Sequence, residues 1–458
     1  MLVGREGKID SLEKSWTASG FRFAVLYGVH RCGKTKLLSE FVREKNGIFF
    51  SAQKLNWFMN LRIFEKAVSS YTGEEEHFEH WKDGFSRVGK LSKERRLLLV
   101  IDNFSDLISD ERSILSDFKN AMENDWHSAD LFVVASCSKV YFTETEILSE
   151  NAAPSVRRPQ VVKLEELDYL DAAKFLPEGI IAQDKIRYYG CLGGVPEYLK
   201  LVDGKLSFEE NIRNIFLNPN APLFEAPPMV FLDELREPSF YNSILYSLSK
   251  GCRRINEIVN ETGESSTKVN KYLLTLLQMQ IVERDIPFGE ENKTSRKGIY
   301  TISAKSLAFW FRFVLPNQAD IVCGKEVLPN LTEEVDRYLS DRLFEQICAQ
   351  YMSRKNKQGD LPILASSMAG FWSSLKESSE TKLIAANQRN RQILFAECRW
   401  SFDEPWEKMQ LYIRQNDKLF SEYWERFDML FSFHPFSAEY CRAAGAKLHL
   451  VDAEDLYR

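Results

Sequence analysis

Residues 22–27, RFAVLY, form an apolar run that passes without a break into GVHRCGKT at 28–35, an instance of the pattern G-x-x-x-x-G-K-(S/T). The following KLLSEFV spaces Leu37, Leu38, Phe41 and Val42 at helical intervals. A buried strand that feeds a glycine loop and then a helix restricts this part of the chain to an α/β arrangement with a parallel sheet. In such a loop, Gly28 and Gly33 let successive backbone N–H groups turn toward one point, and the helix N-terminus adds its own N–H groups and dipole. A phosphate chain is the ligand this cradle takes. The expected nucleotide-binding set is Gly28, Val29, His30, Arg31, Cys32, Gly33, Lys34, Thr35 and Lys36, with Lys34 on the β- and γ-phosphates and the Thr35 hydroxyl on Mg²⁺.

A companion strand is legible in RRLLLVIDNF, where five aliphatics end in Asp102. An acid at the carboxyl end of a parallel strand lies on the edge where α/β ligand sites form, so Asp102 is expected to hold Mg²⁺ directly or through water. GIFFSA (47–52), DLFVVASCS (130–138) and QVVKLEEL (160–167) supply further strands. The second of these carries Ser136 and Ser138, either as polar contacts to the γ-phosphate or attacking water or as simple turn residues. Arg157 and Arg158 precede the last strand. There they are either an arginine finger for a neighbouring subunit or solvated loop residues.

Six separated segments now fall in one order: LVGRE (2–6), GVHRCGKT, LLLVIDNF, LDYLDAAKFLP (167–177), YGCLGGVPEYL (189–199) and EPSFYNSIL (237–245). With FWFRFVLPN (309–317) they make the chain resemble the archaeal-type P-loop ATPases of the AAA+/STAND-like group, over nearly its whole length. The resemblance implies an ATP-binding core, a helical lid, a winged helix and a C-terminal nuclease-like domain. It also implies that Gly4 and Arg5 of VGRE and the turn from Gly193 to Pro196 flank the adenine. Pro at the first turn of a helix accounts for Pro196 equally well. One position departs from the family: Asn103 stands where a glutamate is usual. An amide cannot accept a proton, and a general base is worth about 10²–10⁴ in rate. The expectation is therefore tight binding of Mg·ATP with slow turnover.

In the middle of the chain, SFYNSILYSLSK (239–250), RINEIVNETG (254–263) and SSTKVNKYLLTLLQMQ (265–280) read as three amphipathic helices. The alternating IVERDIPFG and KGIYTIS then complete a winged helix-turn-helix. Lys268, Lys271, Arg296 and Lys297 are its candidate nucleic-acid contacts. Glu257, Glu261, Glu264, Glu290 and Glu291 lower the local field, which leaves interdomain packing as the competing role.

Beyond residue 335 a helix at 336–352 precedes strands expected at LPILAS (361–366), TKLIAAN (381–387) and QILFAECRW (392–400), then at DMLFSFHPF and KLHLVD. This order resembles the PD-(D/E)xK nuclease fold, whose chemistry needs an acid on one strand and E-x-K on the next. Glu397 is present, but Arg399 replaces the lysine and Lys382 stands in the region of the first acid. Arginine stays protonated and lysine does not ligate Mg²⁺, so DNA cleavage is not expected.

Composition sets the outer limits. At 458 residues with 44% hydrophobic content the chain can build several cores, and a net charge of −6 argues against a protein coated in nucleic acid. The eight cysteines are scattered without a CxxC pair, no apolar run reaches membrane-spanning length, and MLVGREGKID lacks a secretory signal. A cytoplasmic protein with no membrane partner is expected. The domains are placed at 1–165 (P-loop core), 166–230 (helical lid), 231–315 (winged helix), 316–335 (linker) and 336–458 (degenerate nuclease-like domain). The functional expectation is an ATP-dependent conformational switch that acts on DNA, a protein partner or a second copy of itself. The alternatives are a DNA-binding regulator with a vestigial nucleotide site, or a fully active ATPase.

Overall fold

Every residue of LLLVID (97–102) is buried, the signature of a strand covered on both faces. In the computed structural model this strand is β3 of a five-stranded sheet with β1 (Arg22–Tyr27), β2 (Gly47–Ser51), β4 (Leu131–Cys137) and β5 (Gln160–Lys163). The order is β2-β3-β4-β1-β5 and all neighbours are parallel. The structure describes residues 3–29, 31–148, 158–225, 237–290, 295, 297–371, 382–416, 419–420 and 422–458.

Period-two alternation divides the strands between two cores. Leu97, Leu99 and Ile101 join Phe64, Phe85, Phe118 and Trp126 on one face. Leu98 and Val100 join Leu12, Leu37, Leu38 and Phe41 on the other. The Glu6–Thr17 and Lys34–Arg43 helices thus cover one face, while Trp57–Thr72, Trp81–Glu94 and Arg112–Asn120 cover its opposite. Because β4 lies between β1 and β3, its carboxyl end is interposed between the glycine loop and Asp102. That topology positions the site.

Residues Met1–Leu167 form one compact unit and Asp168–Arg458 a second. The second begins with helices Tyr169–Ala173, Ala182–Leu192, Pro196–Leu199 and Phe208–Phe216. Helices Pro238–Ser249, Ile255–Thr262 and Ser266–Gln278 follow, then an antiparallel hairpin of β6 (Val282–Asp285) and β7 (Ile299–Ile302). The third helix buries Val269, Tyr272, Leu273 and Leu276, the face its sequence marks as apolar. FWFRF is core: Phe309, Trp310, Phe311 and Phe313 are buried, and the Trp310 indole donates to the Phe224 carbonyl at 2.6 Å.

A mixed sheet, β8-β9-β10-β11-β12, completes the unit. Its strands are Ser367–Phe371, Lys382–Asn387, Gln392–Arg399, Glu425–Ser432 and Leu448–Val451. The strand expected at 361–366 is not formed. Asn356 takes that stretch instead: its side chain accepts from Ala365 N at 2.8 Å and donates to Ala365 O at 3.1 Å, which satisfies the backbone without a ladder. The first strand of the sheet is SMAGF, which begins at Ser367 directly after that stretch. Among the described residues, no helix is long and apolar enough to cross a membrane.

Candidate nucleotide site

The loop after β1 has the form the motif requires. A Cβ on Gly28 would lie 2.0 Å from the Leu164 carbonyl oxygen, so only glycine lets the loop leave the sheet beside β5. Gly33, at φ 96°, is the N-cap of the Lys34–Arg43 helix and leaves its first turn without a side-chain cap. Uncapped N–H groups at a helix start are the donors that accept a phosphate. Lys34 is buried within the loop, its ammonium donating to the carbonyls of Gly28 at 2.8 Å and Val29 at 2.9 Å. Cys32 is buried, Arg31 is exposed at φ 63°, and Lys36 pairs with Glu40 on the helix surface. His30 lies outside the described residues.

Asp102 gathers the other side of the site. The Thr35 hydroxyl donates to its Oδ2 at 2.7 Å and the Ser136 hydroxyl to its Oδ1 at 2.6 Å. Ser51 approaches Oδ2 at 3.5 Å, because β2 and β3 pair Ser51 with Asp102. Both Asp102 and Ser136 are fully buried. A threonine hydroxyl and a carboxylate on one spot form a hard oxygen donor set that fits Mg²⁺, and Ser136 fixes the carboxylate's orientation. Its hydroxyl proton is given to Asp102.

Asn103 adopts the left-handed conformation, φ 57°, at the start of the Phe104–Asp110 helix. Asparagine tolerates this region better than most residues. Its side-chain amide donates to the Ala52 carbonyl at 3.1 Å and approaches the Ser51 hydroxyl at 3.5 Å. Asn103 therefore braces the exit of β2. Asp106 pairs with Lys139 at 3.0 Å.

Arg5 is buried, and its guanidinium donates to the carbonyls of Cys32 at 3.1 Å and Glu165 at 2.7 Å. It ties the glycine loop to the chain leaving β5, a bracing role that adds to its expected place beside the base. Gly4 turns the chain at φ 68°. Arg158 is exposed just before β5, and Arg157 lies outside the described residues. Pro196 belongs to the second unit, where it opens the Pro196–Leu199 helix after Gly193 at φ 70°. Sequence reasoning missed Ser51 and the bracing by Arg5. The first follows only from strand register, the second only from the path after β5.

With this geometry in place, comparison with known proteins is decisive for the first part of the chain. Residues 2–202 match a family described as an ATPase domain predominantly from Archaea. The N-terminal part of this chain is a P-loop ATPase domain. Residues 310–410 match a family described as archaeal and bacterial proteins of unknown function. An uncharacterized protein of Methanocaldococcus jannaschii is 26% identical over 400 residues, 87% of this chain and 88% of its own. A Walker-type ATPase of Pyrococcus abyssi has a similar fold, with TM-score 0.52 and 17% identity over 68% of this chain and 96% of that one. The Aeropyrum pernix ORC2 protein, solved in ADPNP–ADP complexes, aligns at TM-score 0.46 and 15% identity over 70% of this chain and 95% of that one.

The other candidate residues lie in the second unit. Lys268 donates to Glu264 at 3.2 Å and sits 4.0 Å from the Phe240 ring centroid. Lys271 lies 5.8 Å from the Tyr272 ring, and Lys297 pairs with Glu290 at 2.6 Å. Arg296 lies outside the described residues. In the C-terminal sheet, Glu397 on β10 is paired in register with Lys382 on β9, whose side chain is outside the description. Arg399 donates from Nε to Glu397 at 3.0 Å and from Nη1 to Glu404 at 2.6 Å, and the Tyr412 hydroxyl donates to the second Glu397 oxygen at 3.1 Å. Burial opposes the charge on Arg399, yet the two glutamates hold its pKa above the ordinary value. A fixed cation thus occupies the carboxylate a metal would use. Among the described residues, no three His, Cys, Asp or Glu side chains converge as a metal site.

Proposed function

We propose that the protein is a nucleotide-dependent conformational switch that binds Mg·ATP and hydrolyses it slowly. The observation that carries this reading is the pair of arrangements around Asp102. Thr35 and Ser136 hold its carboxylate in place beside the phosphate loop, while the neighbouring Asn103 offers an amide already bonded to Ala52. On this reading the residues for binding are present and an amide stands where a proton acceptor would act. Lys34 and the loop amides would take the phosphates, and Thr35 and Asp102 would hold Mg²⁺, which supplies charge neutralisation on the phosphate oxygens. Gly4 and Arg5 would flank the base.

Nucleotide bound at a hundred times its Kd stabilises the binding conformation by about 2.7 kcal/mol. That suffices to bias a modest domain equilibrium. The three helices and hairpin at 238–302 and the mixed C-terminal sheet are the elements such a bias would act on. DNA through the winged helix is one output, and a protein partner or self-association is another. Arg399 on Glu397 supports a nuclease-like scaffold kept for binding without cleavage.

Calorimetric titration with Mg·ATP tests the reading. Wild type is expected to bind and Lys34→Ala to lose most of the affinity. Equal heats from the two proteins would remove the P-loop from the account.

A further inference from the structure

A cleft of about 690 Å³ opens between the Ile255–Thr262 helix, the start of the Ser266–Gln278 helix and the β6–β7 hairpin. This is the size of a small-molecule site, roughly 300–1,000 Å³. A single base or a mononucleotide fits inside it, whereas a duplex could only lie across its mouth. Its lining differs from the lysine surface of the same segment, where Lys268 and Lys297 are each paired with a glutamate. The cleft carries Arg254 and Arg284, and no Asp or Glu is among the described residues that line it. Glu257 is committed to the backbone N–H groups of Arg253 and Arg254, at 2.7 and 3.0 Å. Arg254 has no ion-pair partner among the described residues. The cleft therefore attracts an anion where the lysines are neutralised.

Unspent amides converge on this space. Asn256 and Asn260 stand one turn apart on the Ile255–Thr262 helix, both exposed, and neither side chain has a hydrogen bond among the described residues. Asn270 donates to the Ser266 carbonyl at 2.9 Å, which leaves its amide oxygen to accept. An asparagine amide sets a donor beside an acceptor, the converse of the N7 and N6 amino group of adenine. The hairpin supplies a flat surface. A Cβ on Gly298 would lie 2.7 Å from Nε of Arg284, so this guanidinium rests on bare backbone, 5.9 Å from the centre of the Tyr300 ring. Its Nη2 donates to the Ser295 carbonyl at 2.6 Å, which fixes the plane. Unstacked bases are held on arginine planes and aromatic rings of this kind. The Tyr300 N–H donates to the Arg253 carbonyl at 2.8 Å, which places Arg254 beside the hairpin.

We propose that this cleft binds single-stranded nucleic acid by taking in one unstacked adenine. The asparagine amides read the edge of the base, Arg284 stacks on its face and Arg254 meets the phosphate. This binding rests on the winged helix having DNA as its output, and it specifies the strand and the base.

The test is fluorescence anisotropy of the full chain with three labelled strands: a short oligothymidine, the same strand with one central adenine, and the same strand with a central abasic site. The adenine strand is expected to bind at least about fivefold more tightly than the other two, the discrimination of one well-made amide–base pair. Asn256→Leu with Asn260→Leu, two exposed helix positions, is expected to remove the preference and keep the residual affinity, with the circular dichroism spectrum of wild type. Lys34→Ala is expected to keep the preference, which separates the cleft from the P-loop. Equal binding of the three strands overturns the proposal and leaves DNA as an output in place. A preference that survives in the folded double variant, or is lost in Lys34→Ala, overturns it as well. Absence of binding to every strand also overturns it, and titration with duplex then decides separately whether DNA binds through the lysines.

Discussion

The side-chain amide of Asn103 donates to the Ala52 carbonyl at 3.1 Å, so the residue after Asp102 is a structural clamp on the exit of β2. A glutamate could not make that bond, because a carboxylate has no proton to give. An asparagine here thus supplies a donor and offers no proton acceptor, and the two consequences are separable by mutation.

Ser136 is expected to matter through Asp102. Ser136→Ala removes a buried hydroxyl that donates to a charged carboxylate, which costs about 1.5–3 kcal/mol of stability. ATP affinity should fall more in Mg²⁺ than in EDTA, since the serine orients the acid and leaves the loop alone. Urea unfolding and paired titrations read the two effects.

Duplex DNA is expected to bind weakly, because Lys268 and Lys297 are each paired with a glutamate. Surface pairs are worth about 0–1 kcal/mol, so Glu264→Gln with Glu290→Gln should tighten binding by a few-fold and steepen its salt dependence. Fluorescence anisotropy at two salt concentrations checks both. An unchanged affinity would remove these lysines from any DNA surface.

No Mg²⁺-dependent cleavage of DNA is expected from wild type, and Glu397→Gln should not change that. Both oxygens of Glu397 are committed, to Arg399 and to Tyr412. A plasmid-nicking assay with both proteins decides it, and nicking lost only in Glu397→Gln would restore the nuclease reading.

Glu283 predicts a pH signature. Burial raises its pKa in the folded chain, so the folded state holds the proton more tightly than the unfolded one. Its favourable contribution is present below the ordinary carboxylate pKa of about 4.3 and is lost as pH rises through the raised value. Glu283→Gln should therefore be more stable than wild type at neutral pH, with the difference vanishing in acid. Urea midpoints across that range measure it.

How much of this was legible beforehand follows from range. RFAVLY, LLLVID and the glycine loop are local signals, and each strand appears where its apolar run lies, β1 and β3 to the residue. The apolar face of the third middle helix was equally local. What sequence could not give was register and side-chain competition. Ser51 meets Asp102 because β2 pairs with β3, and in LPILAS the Ala365 backbone is taken by Asn356 from a preceding helix. The strand that does form, SMAGF, contains a glycine and no β-branched residue, so propensity gave no sign of it.

The central claim is that Asn103 separates binding from turnover. Mg·ATP affinity and steady-state phosphate release, measured on one sample each of wild type and Asn103→Glu, test it directly. The account predicts similar affinities and a turnover higher in the variant by about 10²-fold or more. It also predicts a loss of about 1 kcal/mol in stability as Ala52 loses its donor. Rapid turnover by wild type, lost in Lys34→Ala and unchanged in Asn103→Glu, would contradict it and place the base elsewhere.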